Sequence, residues 1–403
     1  MVELKEGTFM DRFVTIQEEL TKQQIDAWIL VDYENRNPTM VSFLGDKMLT
    51  RKILMVFPKD AKPYLICHVI DTIFLQDPET QAHFDLKVYH TWQEMLKLEK
   101  ECFHSYHRVY MDISENGLLP RVSLADYGSV SYLQSLGIEI RSSANLLQIF
   151  QAQYGEKSYQ LQRQADALAL KIKDEAFAKI KADIEQNGVS DEYRIQQFIA
   201  KRFHEEGMVY DDPPIVAINH NASNPHYGPT SKVSSPIHVG DVVLIDMWAK
   251  MDDPLGVYAD ITWMGYVGKK VPAFVAERFQ ILKEAIDHAV SFLEENLPQR
   301  EVLGYEVDDV VRKDIADKGY GEYFTHRTGH NISVDISPHG PGANIDDYES
   351  HDTRALINGT SFSLEPGIYA PDFGMRSETN VYVENRHPIV VAGRQKEVIA
   401  ILK

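Results

Sequence analysis

Short apolar runs separated by helical patterns fill the first 150 or so positions of the chain. Ala27-Trp28-Ile29-Leu30-Val31 is continuously apolar, which predicts a strand buried on both faces. Ile53-Leu54-Met55-Val56-Phe57-Pro58 and Pro63-Tyr64-Leu65-Ile66-Cys67 predict two more, joined by the turn-like Lys59-Asp60-Ala61-Lys62. Val109-Tyr110-Met111-Asp112 opens another strand, and a helix is predicted over 121–136. Together these elements predict an α/β domain built on a mixed sheet.

The pattern changes near Tyr154-Gly155-Glu156-Lys157, which predicts domains at 1–154 and 155–403. Leu161, Leu168, Ile172, Phe177, Ile180 and Ile184 then recur at helical spacing, and Asn187-Gly188 closes that helix. Ser190-Asp191-Glu192 supplies an N-cap and an acidic first turn for a second helix running to about Glu206-Gly207. Two further helices are predicted over 273–296 and 307–318, the latter stopped by Gly319.

Strands with acids inside them change the picture. Residues 242–248 and 257–263 predict a hairpin around Asp252-Asp253-Pro254-Leu255-Gly256. Pairing these strands about residue 253 places Asp246 directly opposite Asp260, on the face shared by Tyr258 and Thr262. A second hairpin, turning at Pro371-Asp372-Phe373-Gly374, places Glu365 opposite Glu378. An acid between apolar neighbours is costly to bury unpaired, and like charges facing across a ladder repel unless a cation lies between them. The bland alternative is that nearby Arg or Lys neutralise these acids, but two hairpins would then carry the same misfit. Four carboxylates with one imidazole, His330, suit two divalent ions that activate water.

Composition narrows the classes. A length of 403 residues suggests two domains, and 44% hydrophobic with 25% charged residues is typical of globular proteins. A net charge of −19, from 41 basic and 60 acidic residues, disfavours nucleic-acid binding. No run of 18 apolar residues predicts a membrane span, and the first residues lack a secretory pattern. Cys67 and Cys102 are too few for a disulfide framework, so a cytoplasmic location is expected.

The local frames Leu244-Ile245-Asp246, Tyr258-Ala259-Asp260-Ile261-Thr262, Thr328-Gly329-His330, Leu364-Glu365-Pro366-Gly367 and Arg376-Ser377-Glu378 carry a family resemblance. The chain resembles prolidase, aminopeptidase P, methionine aminopeptidase and creatinase, and fits best the prolidase and aminopeptidase P branch, which has an extra amino-terminal domain. The resemblance is weak over residues 1–150 and strong over 155–400. It implies an α+β chain: a pita-bread catalytic domain, a curved antiparallel sheet covered by helices, after a smaller α/β domain. It also implies a metal-dependent peptidase that cleaves between an amino-terminal residue and a following proline through a hydroxide bridging two metal ions. Manganese is the expected metal, with cobalt or zinc as alternatives.

By the same resemblance, Asp246 serves one ion, His330 and Glu365 the other, and Asp260 and Glu378 bridge both. The turn between Asp246 and Asp260 is longer than usual in the family, which a hairpin tip tolerates. Glu365 is the expected proton shuttle. His226, in Asn224-Pro225-His226-Tyr227, and His339, in Ser337-Pro338-His339-Gly340, match histidines that contact substrate or stabilise the tetrahedral oxygen. The counterpart of His326 lies near substrate. Arg376 shares a strand face with Glu378 and either holds it ionised or pairs with a substrate carboxylate. Arg354 would bind the free carboxy terminus of a dipeptide; the alternative is a surface arginine. A peptide with proline second and a homodimer follow as expected partners.

Other signals are thin. Trp248, Tyr258, Trp263 and Phe362 read as core, His204-Glu205-Glu206 lacks the second histidine of a zinc helix, and Gly340-Pro341-Gly342-Ala343 is no phosphate loop. Two rival readings exist: a creatinase-like hydrolase of a small non-peptide amide, and a non-catalytic binding protein on the same fold. Members of both groups have lost ligand positions that this chain retains.

Overall fold

The computed structural model describes residues 9–334 and 337–403, which divide into two compact units, the first ending at Gln151 and the second beginning at Ala152. The first is built on a six-stranded sheet. Its order from edge to edge is Asp85–Tyr89, Tyr64–His68, Ile53–Pro58, Ala27–Asp32, Arg108–Met111 and Glu139–Ser142. Ile53–Pro58 runs antiparallel to both neighbours and the remaining pairs are parallel, so the sheet is mixed.

The apolar runs behave as their composition dictates, since every residue of Ala27–Asp32 and Ile53–Pro58 is buried. Trp28, Leu30, Met55 and Phe57 meet Ile16 and Leu20 of the helix Phe9–Lys22 on one face. Ala27, Ile29, Leu54 and Val56 meet Phe103 and Leu133 on the other. The helix expected over 121–136 is shorter, spanning Tyr127–Ser135 after a separate 3-10 turn at Pro120–Val122. Asp126 sets the start by accepting the Ser129 N–H at 2.9 Å, which fixes it as the cap.

In the second unit the long helix Glu156–Asn187 ends at Gly188, whose φ of 75° suits a residue without a Cβ. Asp191 caps the next helix, Glu192–Glu205, through the Arg194 N–H. The helix expected from 307 begins earlier, at Gly304, because the Glu306 carboxylate takes the Leu303 N–H at 2.7 Å.

Strand alternation then sorts the central hairpin, Val242–Met251 with Ala259–Tyr266. Val243, Ile245, Met247 and Ile261 turn toward the helices Glu156–Asn187 and Glu192–Glu205. Leu244 and Met264 turn the other way, into a core shared with the helices Ala273–Asn296 and Gly304–Asp317. Asp246, Asp260 and Thr262 share this second face by period two, so the fold buries two acids beside an apolar core. Among the described residues, no helix is long and apolar enough to cross a membrane.

Candidate metal centre

The register of the central hairpin differs from the one expected. Asp246 pairs with Thr262, and Asp260 pairs with Trp248, so the two aspartates are diagonal neighbours rather than direct partners. The loop after Met251 folds on itself, with Asp253 N–H to Met251 O and Gly256 N–H to Asp253 O, and this moves the pairing centre. Because the slip is by an even number, both acids keep the same face.

The second hairpin keeps the expected pairing frame across an interruption. Leu364 pairs with Thr379 on one side and Gly367 with Arg376 on the other, so Glu365 and Glu378 occupy the break between the two ladders. Freed from that ladder, their backbones reach elsewhere: the Glu365 N–H donates to Thr328 O at 2.8 Å and the Glu378 N–H to Thr262 O at 3.2 Å. The side chain of Asn380 clamps the Asp260 peptide, accepting its N–H at 2.9 Å and donating to its carbonyl at 2.8 Å. These bonds join the two hairpins where Asp260 and Glu378 meet.

His330 enters on a third segment. Gly329 exchanges two backbone hydrogen bonds with Ile345, and an added Cβ there would stand 1.9 Å from Ser363 O, so only glycine fits before the histidine. The Ser363 hydroxyl accepts the His330 N–H at 3.0 Å and donates to Glu365 Oε1 at 3.1 Å. Behind the segment, buried Asp308 accepts both the N–H and the hydroxyl of Thr328.

Donor atoms of Asp260, His330 and Glu378 all lie within 4.8 Å of one another. His330 Nδ1 faces Asn331 O at 3.0 Å, so Nδ1 carries the proton. Its Nε2 then presents a lone pair to Asp260 Oδ2 at 3.4 Å and Glu365 Oε1 at 3.5 Å. Burial lowers the His330 pKa, so protonation does not relieve that opposition. A donor set of hard oxygens and one imidazole, oriented through its other ring nitrogen, fits a divalent ion.

Charge in the cluster is otherwise poorly balanced. Burial, and then the neighbouring acids, push the carboxyls of Asp260 and Glu378 well above the ordinary range; burial pushes Glu365 up as well. Each therefore holds its proton more tightly folded than unfolded. In metal-free protein that stability is full below the ordinary carboxylate pKa and is lost as pH rises through the raised values. The gap in melting temperature between metal-loaded and metal-free protein should thus widen as pH is raised from about 5 to about 8. Thermal unfolding across that range, with and without chelator, measures it; a gap that narrows with rising pH would contradict the cation-binding role of these acids.

Asp246 is held differently, by an ion pair from Arg376 to its Oδ2. Arg376 is 4% exposed and also donates to the hydroxyls of Thr262 at 3.1 Å and Tyr369 at 2.9 Å. Thr262 in turn donates to Glu378 Oε2 at 2.7 Å. The His326 Nε2 lies 2.7 Å from the Tyr369 hydroxyl, and its Nδ1 lies 2.6 Å from Arg327 O, so the tyrosine donates to this ring. Burial, followed by the Arg376 charge, lowers the His326 pKa to about 3 and keeps the ring neutral. Arg376 and His326 thus belong to one hydrogen-bonded chain ending on Asp246 and Glu378.

The remaining residues separate. The His339 ring stands edge-on to His330 with centroids 4.1 Å apart. A bridge between Ile332 and His339, with the Ser333 N–H on Pro338 O, closes the intervening excursion and brings the second histidine back to the first. His226 is exposed, on a loop fixed by buried Glu192, which accepts from Ile218 N–H, Asn221, Tyr227 and Ser235 N–H. Arg354 is no surface residue: it is 3% exposed, with Nε and an Nη on the two Asp352 oxygens and its other Nη on Pro341 O. Of the four aromatics read as core, Tyr258 and Phe362 are buried, whereas Trp248 is only half-buried and donates to Asp211.

Sequence reasoning passed over Asp308 and Glu192, which sit in helical first or second turns where an acid ordinarily serves the helix dipole. It also passed over Asp166 on the long helix. Burial first, then Asp260, raises this carboxyl, and neither of its oxygens has a hydrogen-bond partner among the described residues. Within a helical pattern it looked like an ordinary polar position.

The model of metallopeptidase family M24 matches residues 162–385. The Xaa-Pro dipeptidase of Lactobacillus delbrueckii subsp. lactis is 30% identical over 195 residues, covering 48% of each chain. That of Lactobacillus helveticus is 31% identical over 210 residues, covering 51% of each. The chain spans about half the length of these curated relatives. Among solved structures, dipeptidase PepE from Mycobacterium ulcerans superposes with a TM-score of 0.62 at 20% identity, covering 97% of both chains. A prolidase from Thermococcus sibiricus gives 0.54 at 20% identity, over 98% of this chain and 100% of its own. These likenesses establish the fold: an α+β pita-bread domain preceded by a smaller α/β domain.

Proposed function

Because the chain belongs to metallopeptidase family M24, we propose that it is a peptidase hydrolysing the bond between an amino-terminal residue and a following proline. The observation that carries the reading is the buried group of Asp260, His330 and Glu378, whose donor atoms converge within 4.8 Å in a setting that leaves the acids unbalanced. Asp246, Asp260, His330, Glu365 and Glu378 would hold two divalent ions, with manganese as the first choice. When bound, such ions supply Lewis acidity that activates water and polarises a scissile carbonyl.

The chain's own residues supply the rest. Glu365 is less enclosed than Asp260 or Asp246, its side chain 17% exposed against 6% and 9%. With its carboxyl held toward the protonated form by burial, it is placed to receive a proton at Oε1 or Oε2 and return it to the leaving nitrogen. Ser363 orients it and links it to His330. His339 donates to the oxygen of the tetrahedral intermediate, and His226, exposed on the loop that Glu192 holds, contacts substrate. Arg376 pairs with Asp246, and Tyr369 and His326 fix the plane of the guanidinium. The same reading carries a homodimer and a cytoplasmic location.

Turnover of an Xaa-Pro dipeptide and of a longer peptide with proline second, each against its alanine counterpart in manganese-supplemented protein, tests the proposal. Cleavage of only the dipeptide assigns a dipeptidase; cleavage of the longer peptide assigns an aminopeptidase. If protein shown by metal analysis to carry two ions cleaves neither, the reading is wrong. Protein that takes up no metal would favour the creatinase-like or non-catalytic alternative.

A further inference from the structure

His339 is exposed, and two of the three residues after it, Gly340 and Gly342, lie against one buried side chain, that of Asn331. Asn331 follows His330 directly and is 1% exposed. Its amide is engaged at both ends. Oδ1 accepts the Gly342 N–H at 2.9 Å, and Nδ2 donates to Ser361 O at 2.8 Å. Its backbone carbonyl takes the Gly340 N–H at 2.6 Å beside the His330 Nδ1–H at 3.0 Å. One residue therefore meets the His330 imidazole and both glycines of the turn after His339.

The fit is close. A Cβ on Gly340 would stand 2.1 Å from Asn331 Oδ1, and one on Gly342 would stand 2.7 Å from Asn331 Cγ. Both glycines thus answer to the approach of this amide rather than to backbone conformation. Ser361 opens the strand Ser361–Leu364, whose Ser363 hydroxyl is bonded to His330 and Glu365. Through Asn331 the turn is fastened to the strand that orients the metal centre. Its other side is held by Arg354, which donates to Pro341 O at 2.7 Å and pairs with Asp352. Asp352 accepts the Asn344 N–H, and Asn344 Oδ1 takes the Asn331 N–H at 3.1 Å, which closes the network.

We propose that Asn331 is the positioning residue for His339. Its amide fixes the 340–342 turn against the metal-centre strand, so the exposed imidazole is presented at a set place beside His330. The proposal rests on the reading of His339 as donor to the tetrahedral oxygen. Asn331 is buried and acts only through that histidine. A residue that merely stabilised the loop would lower the melting temperature without singling out kcat, and its loss would add to the loss of His339.

Asn331→Ala in the full, manganese-supplemented chain tests this, with an Xaa-Pro dipeptide as substrate. Turnover number should fall at least about tenfold, against about 10²-fold for a misplacement near 1 Å, with KM within about twofold of wild type. Metal content should hold, since the substitution leaves the Asn331 carbonyl to His330. In a His339→Ala background the same change should lower kcat by less than about twofold, because two residues acting as one are not additive. Hydrogen exchange should quicken in peptides covering 338–344 and stay unchanged over 242–266. Gly342→Ala, which presses on the amide from the turn, provides the second variant with the same expected cycle should Asn331→Ala fail to fold. Additive losses in the double variant, loss of metal, unchanged exchange over 338–344, or normal kcat beside a loss in His339→Ala each overturn the proposal alone. Wild type without turnover, or His339→Ala with normal kcat, is a failure of the underlying reading, and the proposal falls with it.

Discussion

Glu378→Gln is expected to remove both metal and turnover while leaving the fold intact. Glu378 sits in the break between two ladders, with its N–H on Thr262 O and its Oε2 accepting from the Thr262 hydroxyl. An amide keeps an oxygen for that hydroxyl but has no charge to hold a cation. The loss in kcat/KM should exceed about 100-fold, the upper range for residues that merely support a metal ligand. Metal content after dialysis should fall in parallel. The metal-free variant should melt no lower than metal-free wild type, because Gln removes a carboxyl that burial and neighbouring acids have already made costly to ionise. A variant that retains two ions and near wild-type turnover would refute the assignment. One that melts far lower without metal would mean that Glu378 is chiefly structural.

How much of this centre was legible depends on what each residue must satisfy locally. Asp246, Asp260 and Glu378 stood out because acids inside apolar strands violate the ordinary burial rule, and the violation is visible in one dimension. The pairing of Glu365 with Glu378 was equally legible, since a two-residue tip between Ala370 and Phe373 fixes register for the whole hairpin. The first hairpin has a longer tip with its own internal hydrogen bonds, and sequence spacing alone could not locate the pairing centre. Parity survived because alternation has a period of two, so the face was right where the partner was wrong.

Long-range polar partners were not legible at all. Asp246 meets Arg376 from 130 positions away, and His326 meets Tyr369 from a different segment. Asp308 and Glu192 look like ordinary helix acids until the loops they hold are seen. In the amino-terminal unit the continuous apolar runs specified buried strands.

His339→Ala should reduce the turnover number by about 10²–10³-fold, the scale for losing one oxyanion donor. Despite the extra residues between His330 and His339, the bridge from Ile332 to His339 returns this side chain to an edge-on contact with His330. Being exposed while His330 is buried, it can reach a substrate that the inner ring cannot. A hydrogen bond that strengthens as charge develops on the carbonyl oxygen acts on kcat more than on KM, so substrate binding should change little. Metal content should also hold, because the donor atoms of Asp260, His330 and Glu378 converge without it. Loss of metal in the variant would instead make His339 a support for His330 through the ring contact. Normal turnover with normal metal would leave the developing charge to His226, and His226→Ala would then have to show the loss that His339→Ala did not.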